Sequence, residues 1–133
     1  AELTGDAARA CADFVAAGGR VVPYGGALPA ADLVVDALLG TGLARPVAGP
    51  WQAAIEQANA SPAPVVAVDV PSGLHAGTGA VQGVAVRAAL TVTFVGLKAG
   101  LFLGAGPDHA GEIVFDDLGI PAAAYAGASP VLR

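Results

Sequence analysis

Val65-Val66-Ala67-Val68-Asp69-Val70-Pro71-Ser72-Gly73-Leu74 is an apolar, β-branched run that reaches a carboxylate and then breaks on Pro-Ser-Gly. A run of this length without polar alternation reads as a strand covered on both faces, as in a parallel sheet flanked by helices. Pro71 lacks an N–H for the ladder, so the strand stops there and Asp69 is held at the edge of the sheet. The same pattern stands upstream in Asp36-Ala-Leu-Leu-Gly-Thr-Gly-Leu43, where residues 32–39 read as a buried strand that opens into a glycine-bearing loop. Ligands of open parallel α/β sheets bind in the crevice outside the carboxyl ends of the strands. Two such loops, each with an aspartate, therefore predict a small-molecule site.

The rest of the chain fits around these strands. Residues 3–17 read as a helix with Thr4 as cap, Asp6 in the first turn and Gly18-Gly19 at the end. Its apolar stripe is Ala7, Ala10, Cys11, Phe14 and Val15, which predicts a packed face with Cys11 in the core. Residues 20–24 read as a short strand. Residues 51–60 read as a helix with Trp51, Ala54, Ile55 and Ala58 on one face. Strands are expected over 65–70, 90–96 and 112–116, with a helical turn around 100–103 and Pro107 punctuating a loop. The pattern predicts a doubly wound α/β fold. It opens on a helix where such folds open on a strand, so the first βα unit is expected to be missing. The stretch 122–133 reads as a linker or tail after a domain over 1–121.

The 133 residues suffice for one domain. Six basic residues stand against eleven acidic ones, a net charge of −5 with no basic stripe, which argues against a nucleic-acid partner. The longest apolar run, 88–97, is too short to span a bilayer. With one cysteine and no basic, apolar leader, the chain reads as soluble and cytoplasmic. A chain that starts with alanine and contains no methionine reads as a processed product or a fragment.

Several residues carry candidate chemistry. Gly40 and Gly42 let backbone amides approach a phosphate or sugar, with Thr41 and Arg45 as further donors; the alternative is a sharp turn with Arg45 in solvent. Asp69 at its strand end suits a sugar hydroxyl or acid–base work if partial burial raises its pKa; the alternative is a turn cap. Asp36, inside its strand, should be paired, and Asp36 with the Ser72 hydroxyl suits a hard cation; the alternative is hydrogen bonding to nearby loop amides. Lys98, the single lysine, either faces the same crevice or is solvated. His75 and His109 read as surface residues.

Together with Thr78-Gly79, Thr91-Val-Thr-Phe94, Leu97-Lys98-Ala-Gly-Leu101 and Asp117-Leu-Gly-Ile-Pro121, the two strand-end signatures resemble the NAD(P)HX epimerase family, the YjeF-type N-terminal domain. The resemblance implies a Rossmann-like three-layer α/β/α fold with a mostly parallel sheet. It implies an isomerase that interconverts the R and S forms of hydrated NADH and NADPH in cofactor repair, beside an ADP-dependent dehydratase that is often fused to it. It further implies that Gly40, Thr41, Gly42, Leu43, Ala44, Arg45, Pro46 and Asp69 contact the hydrated nucleotide, that Asp36 and Ser72 help hold a potassium ion, and that Asp69, with Lys98 beside it, does the acid–base work. The family's Gly- and Asn-rich phosphate loop, upstream of the first helix, is absent from these residues. The isolated chain is therefore expected to bind hydrated cofactor poorly and to epimerise little, and an open sheet edge to favour a homo-oligomer. The competing reading is a non-catalytic nucleotide-binding or protein-interaction scaffold.

Overall fold

A computed structural model describes residues 3–125. Four parallel strands form one sheet in the order β1-β2-β3-β4: β1 (Val34–Asp36), β2 (Val65–Val68), β3 (Leu90–Phe94) and β4 (Glu112–Asp116). Val34 pairs with Val65, Val66 with Leu90 and Leu90 with Glu112, so the four strands start level and their carboxyl ends share one edge. The helices are α1 (Gly5–Ala16), α2 (Pro50–Ala60) and the short α3 (Gly106–Ala110). This is a Rossmann-like α/β fold, as expected. No helix among the described residues is long and apolar enough to cross a membrane.

Local chemistry explains where the elements begin and stop. Pro50 opens α2, where its missing N–H costs nothing and its fixed φ suits the first turn. Ala54, Ile55 and Ala58 then form the buried face of α2, and Ile55 and Ala58 join Val47, Val65 and Val86 in a core. A second core gathers Val70, Leu74, Ala85, Leu101 and Ala110. α1 ends in a Schellman arrangement: Gly18, at φ 90°, donates to Val15 O, and Gly19 donates to Phe14 O, both near 3 Å.

Several expectations are corrected. α1 has no buried residue, Phe14 and Val15 stand more than half exposed, and Cys11 is only half-buried, so its stripe is not part of the core. Thr4 makes no side-chain cap bond. Residues 20–24 form no strand, because no described strand pairs with them and Val21 and Val22 face solvent. Trp51 is exposed rather than packed with the α2 face. Pro107 starts a helical turn instead of marking a loop.

The strands are also shorter than their apolar runs. β1 stops at Asp36 because the N–H groups of Leu38 and Leu39 turn to side chains, Asp36 Oδ1 at 3.3 Å and Ser72 Oγ at 2.9 Å. β2 and β3 each stop two residues early, in tight turns that build the site. Within the expected tail, Ala122–Tyr125 form a 3₁₀ turn, and residues 126–133 lie outside the described residues.

Candidate active site

The ends of β2 and β3 have the same geometry. After β2, Val70 N–H donates to Val68 O at 2.9 Å across Asp69, whose φ is 72°. After β3, Gly96 N–H donates to Phe94 O at 2.7 Å across Val95, whose φ is 66°. Each is a γ-turn of the rarer, positive-φ kind, a strained conformation. Asp tolerates it, whereas a β-branched valine is an outlier. The described residues contain three non-glycine positions with positive φ, Asp69, Val95 and Leu118, and all three line one crevice. Strain concentrated at one place is a feature of functional sites.

That crevice, of about 550 Å³, is walled by Thr41, Asp69, Phe94, Gly96, Leu97 and Lys98 among others. It lies where the strand-end rule places a ligand. The turn after β3 brings Lys98 back across the sheet edge to form an ion pair with Asp69 Oδ1, and Lys98 Nζ also donates to Phe94 O at 2.6 Å. Lys98 therefore faces the crevice instead of standing free in solvent. Asp69 Oδ1 takes two more hydrogen bonds, from Phe94 N–H at 3.1 Å and from Thr93 Oγ1 at 3.3 Å. All of these land on one oxygen, and Oδ2 has no protein partner among the described residues.

This network sets the charge. Burial alone raises the Asp69 pKa, but the hydrogen bonds from Lys98 and Phe94 N–H, the Lys98 charge and the Thr93 hydroxyl together outweigh it, and the net direction is down. The condition that partial burial raise this pKa is thus not met, and Asp69 is ionised at neutral pH. It can accept a proton or a hydrogen bond through Oδ2, beside an ammonium group that can donate one.

Asp36 and Ser72 form a second constellation, which joins the end of β1 to the loop after β2. Asp36 is 3% exposed. Its Oδ2 accepts from Ser72 N–H at 2.8 Å, and its Oδ1 accepts from Ser72 Oγ at 2.6 Å and from Leu38 N–H. Asp36 thus caps its strand from the last position, and the reading as an acceptor for loop amides is directly visible. Gly73, at φ 91°, lets the loop pass against the Val84 carbonyl, where a side chain would collide.

The glycine loop divides between neighbouring spaces. Thr41 joins the Asp69–Lys98 crevice, whereas Gly40, Gly42, Leu43, Ala44 and Arg45 line an adjoining cavity of about 490 Å³. Pro46 lines a further one with Arg45 and Trp51. An apolar cavity lies elsewhere, between Tyr24, Leu28, Val34 and α2. His75 Nδ1 accepts from Gly77 and Thr78 N–H at 3.2 Å, and His109 Nδ1 donates to Val86 O at 2.8 Å; both are half-buried loop braces, not simple surface residues. No group of three His, Cys, Asp or Glu side chains among the described residues is arranged to hold a metal. Thr93 entered the sequence reading only within the Thr91–Phe94 motif and not as a site residue, although threonine at alternate positions of an apolar strand was a usable signal.

Residues 1–100, which carry Asp36, Thr41, Asp69, Ser72, Thr93 and Lys98, match the family described as YjeF-related protein N-terminus. The chain belongs to this family. Relatives of this YjeF-related domain include the NAD(P)H-hydrate epimerase of Limosilactobacillus fermentum, 57% identical over 90 residues, which are 67% of this chain and 43% of that protein. The bifunctional NAD(P)H-hydrate repair enzyme Nnr of Escherichia coli is 51% identical over 89 residues, 67% of this chain and 17% of that protein. The enzyme of the same name from Methanothermobacter thermautotrophicus is 52% identical over 105 residues, 77% of this chain and 20% of that protein. The chain thus spans less than half the length of these curated relatives.

Proposed function

We propose that this domain is the catalytic core of an epimerase that interconverts the R and S forms of hydrated NADH and NADPH. The observation that carries this reading is the Asp69–Lys98 pair, which lines a crevice at the carboxyl ends of β2 and β3 and leaves Asp69 Oδ2 without a protein partner among the described residues. The hydrated nicotinamide carbon bears a hydroxyl beside the ring nitrogen, and inverting it requires a bond to that carbon to break: as the hydroxyl loses its proton the C–N bond opens to an aldehyde, and the ring nitrogen re-adds to the opposite face as the proton returns. The ionised Asp69 accepts that proton through Oδ2, and the adjacent Lys98 ammonium stabilises the charge that results. Thr41, on the same crevice, and Arg45, on the adjoining one, are the donors for the sugar and phosphate portions, together with the amides of Gly40, Gly42, Leu43 and Ala44 and the wall at Pro46.

The residues fit a potassium ion at Asp36 and Ser72. Asp36 is a buried carboxylate with no basic partner among the described residues, and its Oδ2 accepts only one hydrogen bond. The single hydroxyl proton of Ser72 goes to Asp36 Oδ1 at 2.6 Å rather than to Leu39 O at 3.2 Å, so that carbonyl stays available. Asp36, Ser72 Oγ and Leu39 O would hold the ion, which would neutralise the buried charge and fix the loops that flank the crevice.

Support for a fused dehydratase is the bifunctional naming of relatives of which this chain covers a fifth or less. Support for self-association is the β1 edge, which pairs with no further strand among the described residues. The 133 residues alone are proposed to epimerise little, since they match only 43% of the Limosilactobacillus epimerase. The test is to supply one epimer of hydrated NADPH to the whole protein and follow both epimers by chromatography. Equilibration supports the reading, and tight binding without equilibration supports the scaffold alternative.

A further inference from the structure

β3 carries threonine at both positions of one buried face, Thr91 and Thr93, each with no exposed surface. In a strand with parallel neighbours on both sides, valine fills this volume without a hydroxyl that needs a partner. Thr91 has a structural reason: its Oγ1 donates to Ala110 O at 2.7 Å and ties β3 to the end of α3. Thr93 has no such packing partner. Its Oγ1 donates to Asp69 Oδ1, the oxygen that Phe94 N–H and Lys98 Nζ also address. The three donors come from a buried side chain, a backbone amide and a flexible lysine. The lysine can swing away and the amide fixes one direction only, so a second rigid donor is what keeps the carboxylate from rotating about its Cβ–Cγ bond.

We infer that Thr93 is a positioning residue for Asp69, its buried hydroxyl holding Oδ1 so that Oδ2 alone faces the substrate. The effect on rate rests on the epimerase reading, whereas the hold on the carboxylate does not. At 3.3 Å the bond is long for an O–H donor, which sets its effect below the usual range for hydrogen bonds to charged groups, at about three- to tenfold.

The test compares Thr93→Val, Thr93→Ala and Thr93→Ser in the whole protein, with the Asp69 carboxyl titrated by carbon-13 NMR beside steady-state epimerisation. The Val and Ala variants are expected to raise the Asp69 titration midpoint and to lower kcat about three- to tenfold with KM little changed. Ser is expected to restore both. A merely structural threonine would lower the unfolding midpoint and leave the Asp69 titration alone. An unchanged Asp69 titration in whichever of the Val and Ala variants folds overturns the inference. A shifted titration in a protein that does not epimerise upholds the positioning and rejects the epimerase reading.

Discussion

Lys98 reaches back over the γ-turn at Val95 to bond both Asp69, after β2, and the Phe94 carbonyl, at the end of β3, so one ammonium group clamps two neighbouring strand ends. The clamp is possible because positive-φ turns at Asp69 and Val95 bend both chain segments at the sheet edge. The Asp69–Lys98 pair is thereby built from the backbone as much as from side chains.

Lys98→Met keeps the aliphatic stem and removes the charge. Lys98 gives the leading hydrogen bond that holds the Asp69 pKa down, so the variant raises that pKa. Epimerisation is expected to fall about 10- to 100-fold, while stability changes by less than about 1 kcal/mol because the pair is partly solvated. Kinetics beside urea unfolding checks both parts.

Asp69 also links stability to pH. Its folded-state pKa lies below its unfolded value, so its contribution is complete above the ordinary carboxylate range near pH 4 and is lost as pH falls through the lower folded value. Solvent access keeps this contribution below about 1 kcal/mol. Denaturant midpoints between pH 7 and pH 3 should show Asp69→Asn losing less stability than the parent over the acid limb.

Asp36 and Ser72 give a separate readout. Ser72→Ala strips Leu39 N–H of its acceptor and Asp36 of a donor, at an expected cost of about 1–3 kcal/mol. If the pair holds potassium, the melting temperature of the parent rises with potassium chloride against choline chloride of equal ionic strength. Asp36→Asn should abolish that rise.

The strain at Val95 can be tested by removing it. Val95→Gly relieves about 1–3 kcal/mol of backbone strain. It loses a part-exposed side chain and adds about 0.5–1 kcal/mol of chain entropy, so stability should stay within about 1 kcal/mol of the parent. Val92→Gly, in the regular part of β3, should cost about 2 kcal/mol or more. Equal losses at both positions would show that Val95 is not strained.

The sequence made the strand runs legible because continuous β-branched stretches have few other uses, and it placed Asp69 near a sheet edge because Pro71 cannot join a ladder. The true strand ends were not legible, since Asp69 and Val95 leave the strand through turns held by bonds across the sheet edge. The facing of Lys98 and the role of Thr93 were hidden for the same reason: both depend on Asp69, at least 24 residues away along the chain. The stripe of α1 misled because periodicity reports that a face is apolar, not that anything covers it. The direction of the Asp69 pKa was not legible, because burial was visible in the pattern and the three donors to its carboxylate were not.

The central claim is that Asp69 Oδ2 is the proton acceptor for epimerisation, and Asp69→Asn tests it most directly. The substitution keeps the shape of the side chain and removes its basicity. The whole protein carrying it, shown folded by circular dichroism, should equilibrate the epimers of hydrated NADPH at least about 100-fold more slowly while still binding them. A folded Asp69→Asn protein that epimerises at the parent rate would contradict the account.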